Sequence, residues 1–439
     1  MTSLPVRHAA DRPADRSADR RTEPALVVRT VPVDDPGHLL ALLPADAPTE
    51  ELVAWVRRGD GLVGWGEAAS VHTGGPERFL DAQRWWRGVA SGAVVRDPVR
   101  LPGSGLVAFG SFAFADSPGD SVLRVPRVIA GRRDGRAWVT RVGVSSISRT
   151  AGVLPAPDPS PPEGVHFADG ALDGAQWESA VAEAVRRIGR GDLEKVVLAR
   201  DLLARATAPM DVRWPLRRLA RDYPTCWTFA VDRLFGATPE MLVRRERGLV
   251  TSRVLAGTIR RTGDDAHDLQ LAARLARSSK DLEEHEYAVR SVADALAPHC
   301  TSMNVPEAPF VLHLPNVMHL ATDVAGVVDP DDDPGTTSLE LAAALHPSAA
   351  VGGTPTPLAT ALIAELEGMD RGRYAGPVGW LDASGDGEWG LALRSGSLSP
   401  SGDTVRLFAG CGIVADSDPA DELAEAQAKF LPVRNALNP

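Results

Sequence analysis

Apolar positions recur along this chain with two kinds of spacing. Strand-like pieces, "ALVVRTVPV" (25–33) and "AWVTRVGVSS" (137–146), flank Gly-rich turns, and between them "PERFLDAQRWWRGVA" (76–90) has helical spacing. In "GAQWESAVAEAVRRIGRG", Trp177, Val181, Val185 and Ile188 fall at helical intervals, and Gly191 ends the pattern. Short β-rich runs follow: "KVVLARDLL", "CWTFAVD", "EMLVRRE" and "LVTSRVLAGT". A long helical segment is predicted over about 267–297. Near the end, "GPVGWLD", "GEWGLALRSGSL" and "TVRLFAGCGIV" are strands separated by Asp/Gly/Ser turns, the spacing of antiparallel neighbours. Meandering strands with helices inserted between groups of them predict an α+β fold rather than a parallel βαβ one.

Composition adds limits. The chain has 439 residues, 44% hydrophobic and 24% charged, enough to bury a sizeable core. A net charge of −11 argues against non-specific binding to nucleic acid or to an anionic membrane. No run of about 18 apolar residues predicts a spanning helix. The three cysteines, Cys226, Cys300 and Cys411, form no CxxC pair and predict neither a zinc site nor a disulfide framework. The first 24 residues alternate Asp with Arg, lack an apolar h-region and predict a disordered tail without a secretory signal, hence a cytoplasmic protein. The Pro-rich "VLPAPDPSPPEG" (153–164) reads as a linker. The expected division is a 1–24 tail, a variable part over 25–165 and a core over 166–439.

Candidate chemistry is scattered. "SDPADELAEAQAKF" opens with Asp418 as N-cap and Pro419 at the first helical position. Glu422, Glu425 and Lys429 then share one face, the pattern of a solvated helix or of carboxylates gripping an ion. A second acidic cluster, Glu283, Glu284 and Glu286 around His285, could be surface or half of a carboxylate site for Mg²⁺. Lys195 opens an apolar strand; it is either exposed or an amine able to act as a base. Glu240 follows Pro239 between a turn and a strand, either wetted or a carboxyl that keeps its proton and acts as an acid. "LAGT" (255–258) and "AGCGIV" (409–414) are no dinucleotide motif, but their glycines allow a ligand close to the backbone. His319 and Arg394 are polar residues inside apolar strands, and such an arginine needs a partner, for example a carboxylate.

Taken in order, KVVLAR, FGATPEMLV, LAGT, SKDLEEHE, HLAT, HPSAAVGGTP, YAGPVGW, GEWGLALRSG, LFAGCGIV and SDPADELAEAQAK resemble the chorismate-utilising enzyme family over roughly 170–435. Residues 25 to about 165 match only as its variable N-terminal part. The resemblance implies two antiparallel sheets packed as a sandwich-like core with helices outside. It also implies a monomer that binds chorismate and Mg²⁺ and serves menaquinone or siderophore biosynthesis. By resemblance, Lys195 is the base and Glu240 the acid. Glu284 and Glu425 are Mg²⁺ ligands, with Glu422 beside the ion. Gly257, His319, Ala350, Arg394, Gly410 and Lys429 line the substrate pocket.

Within the family the chain is most similar to the isochorismate synthases. Lys195 replaces the glutamine of anthranilate synthases. Ala256 replaces the lysine of aminodeoxychorismate synthases, and Ala350 the threonine of salicylate synthases. Cys411 departs from the usual alanine. The alternatives are a chorismate lyase releasing pyruvate and a non-catalytic carboxylate binder.

Overall fold

The computed structural model describes residues 25–144, 152–313, 317–329 and 335–438, without the side chains of Thr258, Lys280, Glu284 and Val317. The tail expected over 1–24 lies outside the described residues. Among the described strands every pairing is antiparallel except that of Val27–Val33 with Val94–Arg96.

The long strand Ser121–Arg133 is the junction of the sheet. One edge runs along Asp60–Thr73, and the other is divided between Val107–Ser111 and Arg136–Gly143. From Asp60–Thr73 one limb continues through Val53–Arg57, Trp227–Val231, Leu234–Thr238, Ser395–Leu398 and Thr404–Ile413 to Lys195–Arg205. From Val107–Ser111 the second limb passes through Pro377–Asp382, Gly387–Leu391, Met241–Glu246 and Leu249–Arg260 to Val317–Val327. The limbs face each other. Trp55 and Phe229 of one share a core made almost wholly of strand residues with Phe109, Val378 and Trp380 of the other. Trp55 Nε1 donates to Glu388 Oε2 across the interface at 2.8 Å, which satisfies a buried donor. The expected sandwich is therefore present, its two sheets joined through one strand.

Helices cover the outer faces. Gly174–Gly189 buries Trp177, Val181, Ala184 and Ile188, which pack with Val196, Leu198 and Ile413 of the sheet. Asp173 accepts from Gln176 N, and the Gln176 side chain accepts in return from Asp173 N, closing a capping box. On another face Arg213–Asp222 and Pro419–Leu437 bury Leu216, Leu219, Phe430 and Val433 against Phe235 and Leu407. No helix among the described residues is long and apolar enough to cross a membrane.

Two sequence expectations need correction. The single helix over 267–297 is two, Asp265–Leu275 and Ser279–Leu296, because the Ser278 side chain accepts from Asp281 N and starts a new helix. The Pro-rich 153–164 stretch is a strap rather than a free linker. Ala156 N donates to Ala41 O at 2.8 Å, and Arg213 Nη1 donates to Pro157 O at 3.1 Å.

Phe229 is fully buried where the limbs meet. Phe229→Ala is expected to lower the unfolding free energy by about 3–5 kcal/mol, measured by urea titration followed by tryptophan fluorescence.

Candidate active site

Lys195 stands at the start of Lys195–Arg205, which is paired along its inner edge with Thr404–Ile413. The register sets Ala199 opposite Gly410 and Val197 opposite Gly412. A Cβ on Gly410 would lie 2.4 Å from Leu198 O, so only glycine permits this approach. A Cβ on Gly412 would lie 3.0 Å from Lys195 Cε; the lysine stem passes over this exposed glycine.

Glu240 sits between Leu234–Thr238 and Met241–Glu246. Its amide donates to Thr238 Oγ1 at 3.2 Å, and its carbonyl accepts from Leu391 N at 3.1 Å. Burial pushes the carboxyl pKa above its ordinary value, while Arg394, Lys195 and Lys429 pull it back without prevailing. Three cations from three different elements thus act on one carboxyl. Arg394 is not inside a strand, as its apolar surroundings in sequence suggested. It has φ 49° in the connection between Gly387–Leu391 and Ser395–Leu398, and its carbonyl accepts from Ala237 N at 3.2 Å. A left-handed arginine is uncommon and marks a position fixed by its surroundings.

The C-terminal helix starts as its sequence predicts, with Asp418 accepting from the amides of Ala420 and Asp421 and Pro419 in the first turn. Lys429 Nζ lies 2.8 Å from Glu425 Oε1 and donates to Gly410 O, also at 2.8 Å. The pair therefore exists, and its lysine end lies on the glycine strand while Glu425 stays partly exposed. Arg260 approaches Glu425 at 3.7 Å. Burial works to raise the Glu425 pKa, but Lys429, Arg260 and Arg394 hold it below the ordinary value. Glu422 moves the other way. Burial raises it despite a 2.8 Å hydrogen bond from Ser417 Oγ, and the nearby Glu425 charge adds to the rise. Oxygens of Glu422 and Glu425 and the Cys411 sulfur all lie within 4.8 Å of one another. The Cys411 thiol donates to Glu422 O, and burial pushes it up to about 12.

Gly257 is a bulge: Ala256 pairs with Leu320 and Thr258 with His319, leaving Gly257 unpaired at φ 76°. His319 hydrogen-bonds the Gly257 backbone. Burial lowers its pKa, with Lys429 and Arg394 adding to the fall. His285, buried, is structural: Nε2 meets Thr322 Oγ1 at 2.8 Å and Nδ1 meets Ala256 O at 3.2 Å. Glu283 is exposed, and Glu286, also exposed, pairs with Arg290. Glu284 lies on the same helix, and its side chain is outside the described residues. Ala350 is an exposed turn residue. Gly352 and Gly353, which follow it, run beside the lysine strand, where Val197 N donates to Gly352 O at 2.9 Å.

Electrostatic contact thus groups Lys195, Glu240, His319, Arg394, Glu422, Glu425 and Lys429, with Gly257 and Gly410 in hydrogen-bond contact. A cavity of about 1410 Å³ lies elsewhere, lined by Phe79, Phe114, His346 and Glu367. Sequence reasoning missed Glu367 and Arg371, a buried pair behind the lysine strand, and the role of Gly412. An acid and a base four residues apart after an apolar helix were the only signal for the pair.

The family model described as chorismate binding enzyme matches residues 14–438. The chain is 32% identical over 438 residues to the salicylate biosynthesis isochorismate synthase of Pseudomonas aeruginosa, covering 94% of this chain and 90% of that one. It is 40% identical over 272 residues to isochorismate synthase DhbC of Bacillus subtilis, covering 60% and 67%. The solved structure of MenF, the menaquinone-specific isochorismate synthase from Escherichia coli, superposes with a TM-score of 0.76 at 27% identity, covering 94% and 95%.

Because Arg394 lowers the Glu240 pKa, Arg394→Met is expected to raise it further, read by ¹³C chemical shifts of labelled glutamate across pH. The folded state holds this proton more tightly than the unfolded chain does. Its contribution to stability is therefore complete below the ordinary glutamate pKa and lost as pH rises through the raised one. Glu240→Gln should remove that component from the pH dependence of urea unfolding.

Proposed function

The chain belongs to the family of chorismate binding enzymes, and on that premise we propose that it is an isomerase converting chorismate to isochorismate. The observation that carries the reading is the Glu240 carboxyl, its pKa raised by burial, within electrostatic reach of Lys195, Arg394 and Lys429. An acid that keeps its proton and a nearby amine are the two groups the reaction requires.

The reaction moves a hydroxyl from C4 to C2 of the ring. Lys195 takes a proton from the water that attacks C2, the ring double bonds shift, and the C4 hydroxyl leaves as water with the proton of Glu240. Proton return through solvent resets both groups. Arg394 and Lys429 hold the substrate carboxylates, with Arg394 offering a planar fork and Lys429 a point charge. His319, held neutral by burial and by its cationic neighbours, lines the pocket with Gly257, Gly410 and Ala350. Ala350 brings no hydroxyl to the pocket rim, which fits isomerisation rather than pyruvate elimination. The chain acts as a monomer.

The donor set fits a hard divalent cation: Glu422 and Glu425 offer carboxylate oxygens within 4.8 Å of one another. Glu425 and Glu284 would hold Mg²⁺, with Glu422 reaching it through water. When bound, the ion supplies positive charge between these glutamates and a dianionic substrate.

Chorismate and Mg²⁺ incubated with the protein are expected to yield isochorismate, resolved by liquid chromatography. Lys195→Ala and Glu240→Gln should each lower kcat by about 10²–10⁴-fold. Pyruvate and fluorescent salicylate without isochorismate would establish the lyase instead, and full activity in both variants would remove the proposed acid and base. Glu425→Gln is expected to weaken Mg²⁺ binding at least about tenfold in titration calorimetry, a readout independent of turnover.

A further inference from the structure

The outer edge of the Lys195–Arg205 strand has a gap. Gly353–Thr354 pairs with its first two residues and His166–Asp169 with its last four. Between them the backbone bonds are Val197 N to Gly352 O at 2.9 Å and Gly170 N to Asp201 O at 3.1 Å, and two side chains supply the rest. Arg371 Nη2 donates to Val197 O at 2.6 Å, and Glu367 Oε1 accepts from Ala199 N at 2.7 Å. These side chains are 2% and 1% exposed and form a two-point ion pair, Nε to Oε2 at 2.9 Å and Nη2 to Oε1 at 2.5 Å. Arg371 Nη1 also donates to Val351 O at 2.9 Å, in the turn that carries Ala350, and the guanidinium lies 4.2 Å over the Phe114 ring.

A buried ion pair is a weak source of stability, since desolvation offsets most of the attraction. Its distinctive property here is geometric. One planar guanidinium fixes a carbonyl of the lysine strand and a carbonyl of the facing turn, and the carboxylate that orients it fixes the amide two residues further on. An apolar pair of equal volume would fill the space without reaching any of the three. The strand is held two and four residues beyond Lys195, while Gly412 leaves room for the lysine stem on the other edge.

We propose that Glu367 and Arg371 are positioning residues for Lys195: together they bond the stretch of its strand's outer edge that no partner strand covers and fix where its amine stands relative to Glu240. The proposal rests on the reading of Lys195 as the base. It concerns placement, so it predicts a loss in turnover with little change in substrate binding.

Arg371→Lys keeps the charge but cannot span both carbonyls. The expected result is a kcat lower by about tenfold, with KM for chorismate within about twofold and a displaced pH limb for the base. Amide exchange of the 196–199 segment should speed up by about tenfold in mass spectrometry, because the bonds on Val197 O and Ala199 N are weakened. Acetylation of Lys195 by acetic anhydride should change rate in the same variant. A folded Arg371→Lys protein with unchanged kcat, pH profile and Lys195 acetylation rate would overturn the proposal. So would a kcat that falls only in proportion to the folded fraction. If Arg371→Lys does not fold, Glu367→Gln is decided by the same measurements, since it retains an acceptor for Ala199 N and loses the charged partner. If the wild-type protein does not convert chorismate, the functional reading fails separately. The exchange and acetylation rates then decide the positioning role on their own.

Discussion

The pairing of Lys195–Arg205 with Thr404–Ile413 is the constraint on which the rest of the site depends. It is the ten-residue ladder that brings the lysine end of one strand beside Gly410, Cys411 and Gly412 of the other. Glycine at 410 is required because any Cβ there would strike Leu198 O. After Ile413 a short connection over 414–418 leads into the C-terminal helix, whose Glu422 and Lys429 return to Cys411 and Gly410. A slip of one residue would send Lys195 to the opposite face and break every one of these relations. The register is held on both sides of the strand, by helix packing against Val196 and Leu198 and by the bulge-free pairing itself.

Charge within the site is arranged against the charge of the whole. A chain with a net charge of −11 places Lys195, Arg394, Lys429 and Arg260 around Glu240 and Glu425. Glu240 and Glu425 feel two of the same cations, yet move in opposite directions. For Glu240 desolvation dominates. For Glu425 desolvation is again the largest single influence, but Lys429 at 2.8 Å, Arg260 and Arg394 together outweigh it. Two carboxyls that share Arg394 and Lys429 as neighbours are thereby given different proton affinities, the condition under which one can serve as an acid and the other as an ionised ligand.

Much of this was legible in sequence, for local reasons. Asp418–Pro419 announces the C-terminal helix, Gly191 ends an earlier one, and the antiparallel meander follows from Asp/Gly/Ser turns. The capping serine at 278 was equally local, but it was hidden inside an apolar periodicity that continued across it. Arg394 was misplaced because the apolar run Leu391–Leu393 leads straight into it, and the left-handed turn that carries it is fixed by Ala237 from a distant strand. The meaning of "DELAEAQAK" was legible only through resemblance. Its i,i+4 pair is the same on a solvated helix and here, and what differs is Gly410, supplied from outside the stretch. Glu367 and Arg371 were invisible for the same reason: a base four residues after an acid says nothing about burial until the strand they complete is known.

The sandwich explains why such a site can be held still. The limb that ends in the lysine strand and the limb that carries Met241–Glu246, Leu249–Arg260 and Val317–Val327 contribute opposite walls: Lys195 and Gly410 on one, Glu240's strand neighbours, Gly257 and His319 on the other. Between the limbs lies a core almost wholly of strand residues, closed by Trp55, Phe109, Phe229 and Trp380, with the Trp55–Glu388 bond crossing it. Close-packed interiors of this kind deform little. Displacing one wall would require repacking these rings as well as breaking ladder hydrogen bonds. The strands before residue 144 therefore act on the site through the sheet. Val53–Arg57 pairs with Trp227–Val231 and Val107–Ser111 with Pro377–Asp382, which fastens each wall to the same continuous sheet.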